Sequence, residues 1–266
     1  MSLSVANLSV SYGANQVLDG LCLDPLAKGS FTGLLGPNAA GKSTLFKALA
    51  GLIKIDAGEV SLQGESLSKL SRLQRARKIA YLPQSFHTNL ALSVFESILL
   101  SLKQQSSWRV KAQDLQEVVS ILQLLGIEQL ADKDICELSG GQKQLVAMAR
   151  ILVVKPEVVL LDEPTSALDL HHQLAILSVV KKLSADRGLI TIAALHDVNL
   201  AAKFCDHLVL LNKGVIQVAG GPAKVLSLPL LGETYKVATS LQTSEQGRLY
   251  VDAQLLEPHL AVAQCQ

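Results

Sequence analysis

Nine consecutive residues leave few architectures open to this chain: Gly36, Pro37, Asn38, Ala39, Ala40, Gly41, Lys42, Ser43 and Thr44. They fit G-x-x-x-x-G-K-[ST] without a gap. An apolar run over residues 31–35 precedes them, short enough for a buried strand. Strong helix formers with apolar residues on one side follow over residues 45–50. Strand, glycine-bounded loop and helix in this order predict a phosphate-binding loop. Its backbone N–H groups and the helix N-terminus face an anion, because orphan donors and the helix dipole both favour negative charge. Lys42 would then reach the β- and γ-phosphates, and the Ser43 hydroxyl would take one Mg²⁺ position. A glycine turn that merely starts a helix leaves Lys42, Ser43 and Thr44 unaccounted for. The spacing predicts binding of a nucleoside triphosphate.

Composition agrees with one large α/β domain. The 266 residues are 49% hydrophobic but only 4% aromatic, so the apolar content is Leu, Val, Ala and Ile, which suits parallel strands buried on both faces. A net charge of +1 argues against a nucleic-acid partner held through its phosphates. No apolar run approaches the roughly 18 residues of a membrane span. The first ten residues alternate, with no basic segment followed by an apolar block, so no signal peptide and a cytosolic chain are expected. Cys22, Cys136, Cys205 and Cys265 lack C-x-x-C spacing and read as reduced structural thiols. A mean hydropathy of +0.33 without a span points to a large core or a buried partner surface.

Along the chain, Leu3, Val5, Leu8 and Val10 predict a first strand and residues 16–23 a second, joined as a hairpin. Strands are expected at residues 59–62, 79–82, 158–161, 189–195 and 208–211, and a turn at Asn212-Lys213-Gly214 leads into a hairpin strand over 215–218. Residues 67–77, 142–153 and 174–183 read as helices, with one or two more up to Tyr235. From Ser93 to Leu125 the period is helical, with Gly126 as cap, and this block without strands reads as a helical insertion. The last segment is short and less periodic.

Two further stretches carry chemistry. Val158-Val159-Leu160-Leu161 ends in Asp162 and Glu163. A carboxylate at the C-terminal edge of a strand beside the phosphate loop can hold Mg²⁺, a role that falls to Asp162, while Glu163 is placed to orient or deprotonate a water. Leu138-Ser139-Gly140-Gly141-Gln142 exposes backbone donors at a helix start, a second anion-binding geometry. One chain does not need two γ-phosphate sites. The economical reading is that Ser139, Gly140, Gly141 and Gln142 serve the nucleotide of another copy in a head-to-tail pair.

With a Walker A loop at 36–44, Leu-Ser-Gly-Gly-Gln at 138–142 and a Walker B strand at 158–163, nearly the whole chain resembles an ABC-transporter ATP-binding subunit. The resemblance implies ATP and Mg²⁺ as cofactors. It also implies a P-loop NTPase (RecA-like) core with an N-terminal antiparallel β subdomain and an inserted α-helical subdomain. The cassette would span residues 1–240, with the insertion at about 86–154, and 241–266 would be a short C-terminal segment. Position by position, Tyr12 matches the aromatic that stacks on adenine. Gln84 matches the glutamine that contacts Mg²⁺ and couples to the membrane subunit; Ser166, Ala167, Leu168 and Asp169 match the D-loop; His196 matches the switch histidine on the γ-phosphate. Residues 86–92 would line the docking groove. His171 and His172 lack a third ligand at usable spacing and read as a solvated pair. Ala39 departs from the glycine most family loops carry there; a positive φ would cost alanine about 1–2 kcal/mol. Alanine also occurs among subunits resembling ferric-siderophore importers.

A ribosome-associated ABC protein would carry two cassettes, a DNA-repair ABC ATPase a long coiled coil, and a fused exporter its own membrane helices. The expectation is therefore a separate ATPase subunit, peripheral on the cytoplasmic face of the inner membrane. It would pair with a second copy, dock on two integral membrane permease subunits and act indirectly with a substrate-binding protein. About 45 residues follow the second hairpin, too few for the regulatory domain of sugar-importer ATPases. The Asp169-Leu170-His171-His172-Gln173 pattern, and Gly221-Pro222 followed by Val225, Leu226, Leu230, Leu231 and Tyr235, are similar to importers of haem, ferric siderophores and cobalamin. The alternatives are an ATPase of another ABC transporter class, or a soluble ABC ATPase without transport.

Overall fold

The computed structural model describes residues 2–84, 91–104, 109–166 and 168–256. Most of the expected docking segment 86–92, and Ala167 of the D-loop stretch, lie outside the described residues. The chain opens with β1 (Ser2–Tyr12) and β2 (Asn15–Ala27), then β3 (Phe31–Leu35) and α1 (Lys42–Ala50). Next come β4 (Ala57–Leu62), β5 (Glu65–Ser66), α2 (Arg72–Lys78) and β6 (Ile79–Leu82). Three helices follow, α3 (Val94–Lys103), α4 (Ala112–Leu125) and α5 (Gly140–Leu152), before β7 (Val158–Asp162), α6 (Leu170–Arg187) and β8 (Ile190–Ala194). The remainder is α7 (Val198–Phe204), β9 (His207–Asn212), β10 (Val215–Gly220), α8 (Pro222–Leu226), α9 (Pro229–Tyr235), β11 (Val237–Thr243) and β12 (Leu249–Leu255).

The strands form an antiparallel sheet in the order β2-β1-β4-β5, a six-stranded sheet in the order β10-β9-β3-β8-β7-β6, and the β11-β12 ribbon. In the six-stranded sheet β9, β3, β8, β7 and β6 run parallel and β10 closes one edge antiparallel. Every residue of β3, β7 and β8 is buried, as strands covered on both faces must be. Alternation divides them between two cores. Leu34, Val158, Leu160, Val209 and Leu211 pack with α1 and the antiparallel sheet. Phe31, Leu35, Val159, Leu161, Leu208 and Leu210 pack against α3 to α9 on the opposite face. The fold is the α/β architecture that the sequence predicts.

β6 and β7 are hydrogen-bonded neighbours although α3, α4 and α5 lie between them in sequence, so these helices are an insertion between adjacent strands. The helical period from Ser93 to Leu125 proves to be two helices. Asp114 accepts from the Lys111 N–H at 2.8 Å and starts the second, while Lys103 Nζ lies 2.8 Å from the same carboxylate and ties the two together. The polar run Lys103-Gln104-Gln105-Ser106-Ser107 interrupts the apolar pattern between them, a break that the reading as one helical block passed over. The last segment forms the β11-β12 ribbon, and position 240 falls inside β11. Leu249, Val251, Ala253 and Leu255 alternate with Tyr250, Asp252 and Gln254 along β12, an alternation that the sequence reading passed over. Among the described residues no helix is long and apolar enough to cross a membrane.

Candidate active site

Sheet order places the site. β3, β8, β7 and β6 lie side by side, and their C-terminal ends lead into Gly36, His196, Asp162 with Glu163, and Gln84. These positions are far apart in sequence but lie on strands spaced about 4.8 Å apart, at the edge where open α/β sheets bind ligands.

The loop after β3 is shaped by its glycines. A Cβ on Gly36 would stand 2.1 Å from the Leu211 carbonyl oxygen, and Gly41, with φ 106°, is the N-cap of α1. Ala39 sits at φ 61°, in the left-handed region that the sequence reading named as costly for alanine. Lys42 is buried; its Nζ donates to the carbonyls of Gly36 at 2.6 Å and Pro37 at 3.0 Å. Burial pushes the Lys42 ammonium down from its ordinary pKa, against the opposing pull of Glu163 and Asp162.

Asp162 is 2% exposed at the end of β7, and Oδ2 accepts from the Tyr81 hydroxyl at 3.0 Å. Burial first, then the Asp162 charge, drive the Tyr81 phenol far above the usual tyrosine range. Glu163 turns the chain out of the sheet at φ 52°. Its Oε2 accepts from Gln84 Nε2 at 2.6 Å, and its Oε1 lies 2.6 Å from His196 Nε2. The three residues expected to act on the γ-phosphate and its water therefore meet. Residues 38–44, Gln84, Glu163 and His196 line one open cleft of about 500 Å³, together with Asn15 and Val17.

Residues 24–166 match the family model described as ABC transporter. The chain belongs to this family. It is an ATP-binding cassette that hydrolyses ATP. A hemin import ATP-binding protein from Pseudomonas entomophila is 37% identical over 245 residues, which cover 90% of this cassette and 94% of that protein. A petrobactin import ATP-binding protein from Bacillus subtilis is 30% identical over 249 residues, 94% and 98% of the two chains. An uncharacterized ABC transporter ATP-binding protein from Methanocaldococcus jannaschii is 35% identical over 221 residues, 83% and 86%. Among solved structures, an inward-facing ABC transporter proposed to be of metal-chelate type superposes with a TM-score of 0.81 at 28% identity, covering 95% of this cassette and 97% of that chain. A bacterial ABC transporter cassette solved as a dimer gives 0.76 at 26%, covering 83% and 98%.

The cassette leaves the second glycine pair outside its own cleft. Ser139 caps α5, its Oγ accepting from Gln142 N at 3.3 Å while Gln142 Oε1 accepts from Ser139 N at 3.1 Å. Ser139 and Gly140 are exposed, and a Cβ on Gly140 would meet nothing within 4 Å. Asp169 caps α6, accepting from His172 N at 2.9 Å and lying 2.7 Å from His172 Nδ1. These bonds hold its carboxyl below the usual range. Tyr12 ends β1 half-exposed and pairs with Asn15; its hairpin reaches the cleft through Asn15 and Val17, without Tyr12 among the lining residues.

Four residues support the site in roles that the sequence reading did not assign to them. Besides Tyr81, Gly214 N donates to Ala40 O at 3.0 Å, and the Tyr235 hydroxyl accepts from Gly36 N at 2.9 Å. Arg75 sends Nε to the Leu49 carbonyl and Nη2 to those of Ala48 and Leu49, closing the C-terminal end of α1. Only Gly214 had a local signal, its turn; the other three act through tertiary approach.

Proposed function

We propose that this chain is the ATPase subunit of an importer for an iron chelate, haem or cobalamin, driving two separate membrane subunits from the cytoplasmic face. The observation that carries the reading is the match to import ATPases at 30% identity or more over at least 90% of both chains. In this reading the cassette spans residues 1–240 and 241–266 form an appended segment.

Two copies face each other head to tail, so that Ser139, Gly140, Gly141 and Gln142 of one close over the nucleotide on residues 36–44 of the other. The exposed, unobstructed start of α5 and the likeness to a dimeric cassette support this. Tyr12 stacks on adenine, Lys42 leaves the loop carbonyls for the phosphates, and Asp169 lines the interface. The Ser43 hydroxyl, the Gln84 amide and the buried Asp162 carboxylate are hard oxygen donors that suit Mg²⁺. Bound there, the ion would neutralise charge on the β- and γ-phosphate oxygens. Glu163 accepts a proton from the attacking water as its oxygen bonds to the γ-phosphorus and the bond to the β–γ bridging oxygen breaks, giving ADP and phosphate. His196 holds the γ-phosphate, and Gln84 reports on the site.

An apolar groove beside Gln84, lined by Leu52, Ile79, Leu82, Pro83, Ala147 and Ile151, gives a membrane subunit a place to seat between sheet and insertion. The substrate-binding protein acts on those membrane subunits from outside. The test is ATP-dependent accumulation of labelled haem, ferric siderophore or cobalamin in vesicles carrying this chain and its permease, against a Glu163→Gln control. Accumulation of one of the three is expected. Accumulation only of another solute assigns the chain to a different ABC class, and ATP turnover without any membrane partner favours a non-transport ATPase.

A further inference from the structure

Gly36 is buried one residue beyond β3, and both of its backbone polar groups are spoken for. Its carbonyl accepts from Lys42 Nζ at 2.6 Å, and its N–H donates to the Tyr235 hydroxyl at 2.9 Å. One peptide residue thus joins Tyr235 to the lysine of the phosphate loop, although 199 residues separate Tyr235 from Gly36. The opposite side of Gly36 is wedged against the Leu211 carbonyl, where not even a methyl group fits.

Tyr235 is itself held firmly. It ends α9, in which Leu231 is buried and Gly232 lies so near β11 that a Cβ would stand 2.6 Å from the Val237 carbonyl oxygen. β11 pairs with β12, and β12 is bound to α7 by the Asn199 side chain. Asn199 Oδ1 accepts from Val251 N at 2.7 Å, and Asn199 Nδ2 donates to Val251 O at 3.2 Å. α7 starts directly after His196 and Asp197. The segment that carries Tyr235 is therefore anchored beside the switch histidine at one end and against the phosphate loop at the other.

We propose that Tyr235 is a positioning residue for the nucleotide phosphates: its hydroxyl fixes Gly36, and through Gly36 the starting place of Lys42 and the loop. A buried N–H deprived of its acceptor either moves or draws in water. Either response shifts the loop whose donors must converge on the phosphates, while Glu163, Gln84 and His196 stay in place. The role acts on nucleotide affinity rather than on the chemical step.

The inference rests on the phosphate-loop reading, and the experiment separates the two. Tyr235→Phe in the full chain keeps the ring and removes the acceptor. Titration with ATP and steady-state ATPase kinetics should show Kd and KM for ATP rising about five- to tenfold, the size of one buried hydrogen bond. The kcat at saturating ATP should stay within about twofold. A Kd within twofold of wild type, even with a lowered melting temperature, overturns the proposal and leaves Tyr235 a packing role. Hydrogen exchange at the Gly36 amide of the unmodified chain reads the same bond without a variant. Slow exchange is expected, and exchange at the rate of a free amide overturns it. A wild-type chain that fails to bind ATP overturns the phosphate-loop reading, and the positioning role with it.

Discussion

His196 Nε2 lies 2.6 Å from Oε1 of Glu163, and the contact bridges the ends of two neighbouring parallel strands. With Gln84 on the other carboxylate oxygen, Glu163 is oriented from both sides. Glu163→Gln keeps the shape and removes the carboxylate proposed as the base. Turnover should fall at least about a hundredfold while ATP affinity is retained, and an ATP-bound pair should accumulate by light scattering. Turnover within tenfold of wild type would remove Glu163 from the role of base.

Ser139 and Gly140 stand apart from the cleft that Lys42 lines. A Lys42→Ala chain mixed with a Ser139→Arg chain should form heterodimers with one composite site intact. ATPase activity should rise above that of either parent alone. Activity that stays at the parental level, with heterodimers present by native mass spectrometry, would argue against action between copies.

Ala39 holds φ at 61°. Relief of a left-handed alanine is worth about 1–2 kcal/mol, and the freer unfolded chain of a glycine returns about 0.4–1 kcal/mol of that. Ala39→Gly should therefore stabilise the chain by up to about 1.5 kcal/mol, read as a raised midpoint in urea. A lowered midpoint would mean that the alanine methyl makes contacts that outweigh the strain.

Arg75, 8% exposed, holds the Ala48 and Leu49 carbonyls at the end of the loop helix. Arg75→Ala leaves buried carbonyls without their charged donor and should cost about 2–3 kcal/mol in urea unfolding. Arg75→Lys should recover only part of this, because an ammonium cannot reproduce the forked geometry. Full recovery by lysine would reduce the contact to a simple charge effect.

What is written locally could be read locally. Residues 36–44, the acids after β7 and the glycine pair before α5 each combine a turn requirement with an adjacent apolar run, and both are properties of a few neighbouring residues. Continuous apolar runs along β3, β7 and β9 likewise announced a sheet buried on two faces. The break between α3 and α4 and the β11-β12 ribbon were passed over: the polar run at 103–107 also fits the exposed face of one longer helix, and the alternation in β12 buries only Val251.

By itself, then, the sequence determined that this chain carries a Walker A loop, two acids at the end of β7 and a glycine pair at the start of α5, since spacing within a segment dictates backbone geometry there. Only the tertiary structure decided which segments meet. The order β3-β8-β7-β6 brings Gln84, Glu163 and His196 to one carboxylate, and the fold of the last elements brings Tyr235 to Gly36. Such pairs depend on strand order and on how distant helices pack against the sheet. Neither leaves a periodic trace, because any residue at the right place on the right element would satisfy the same local pattern.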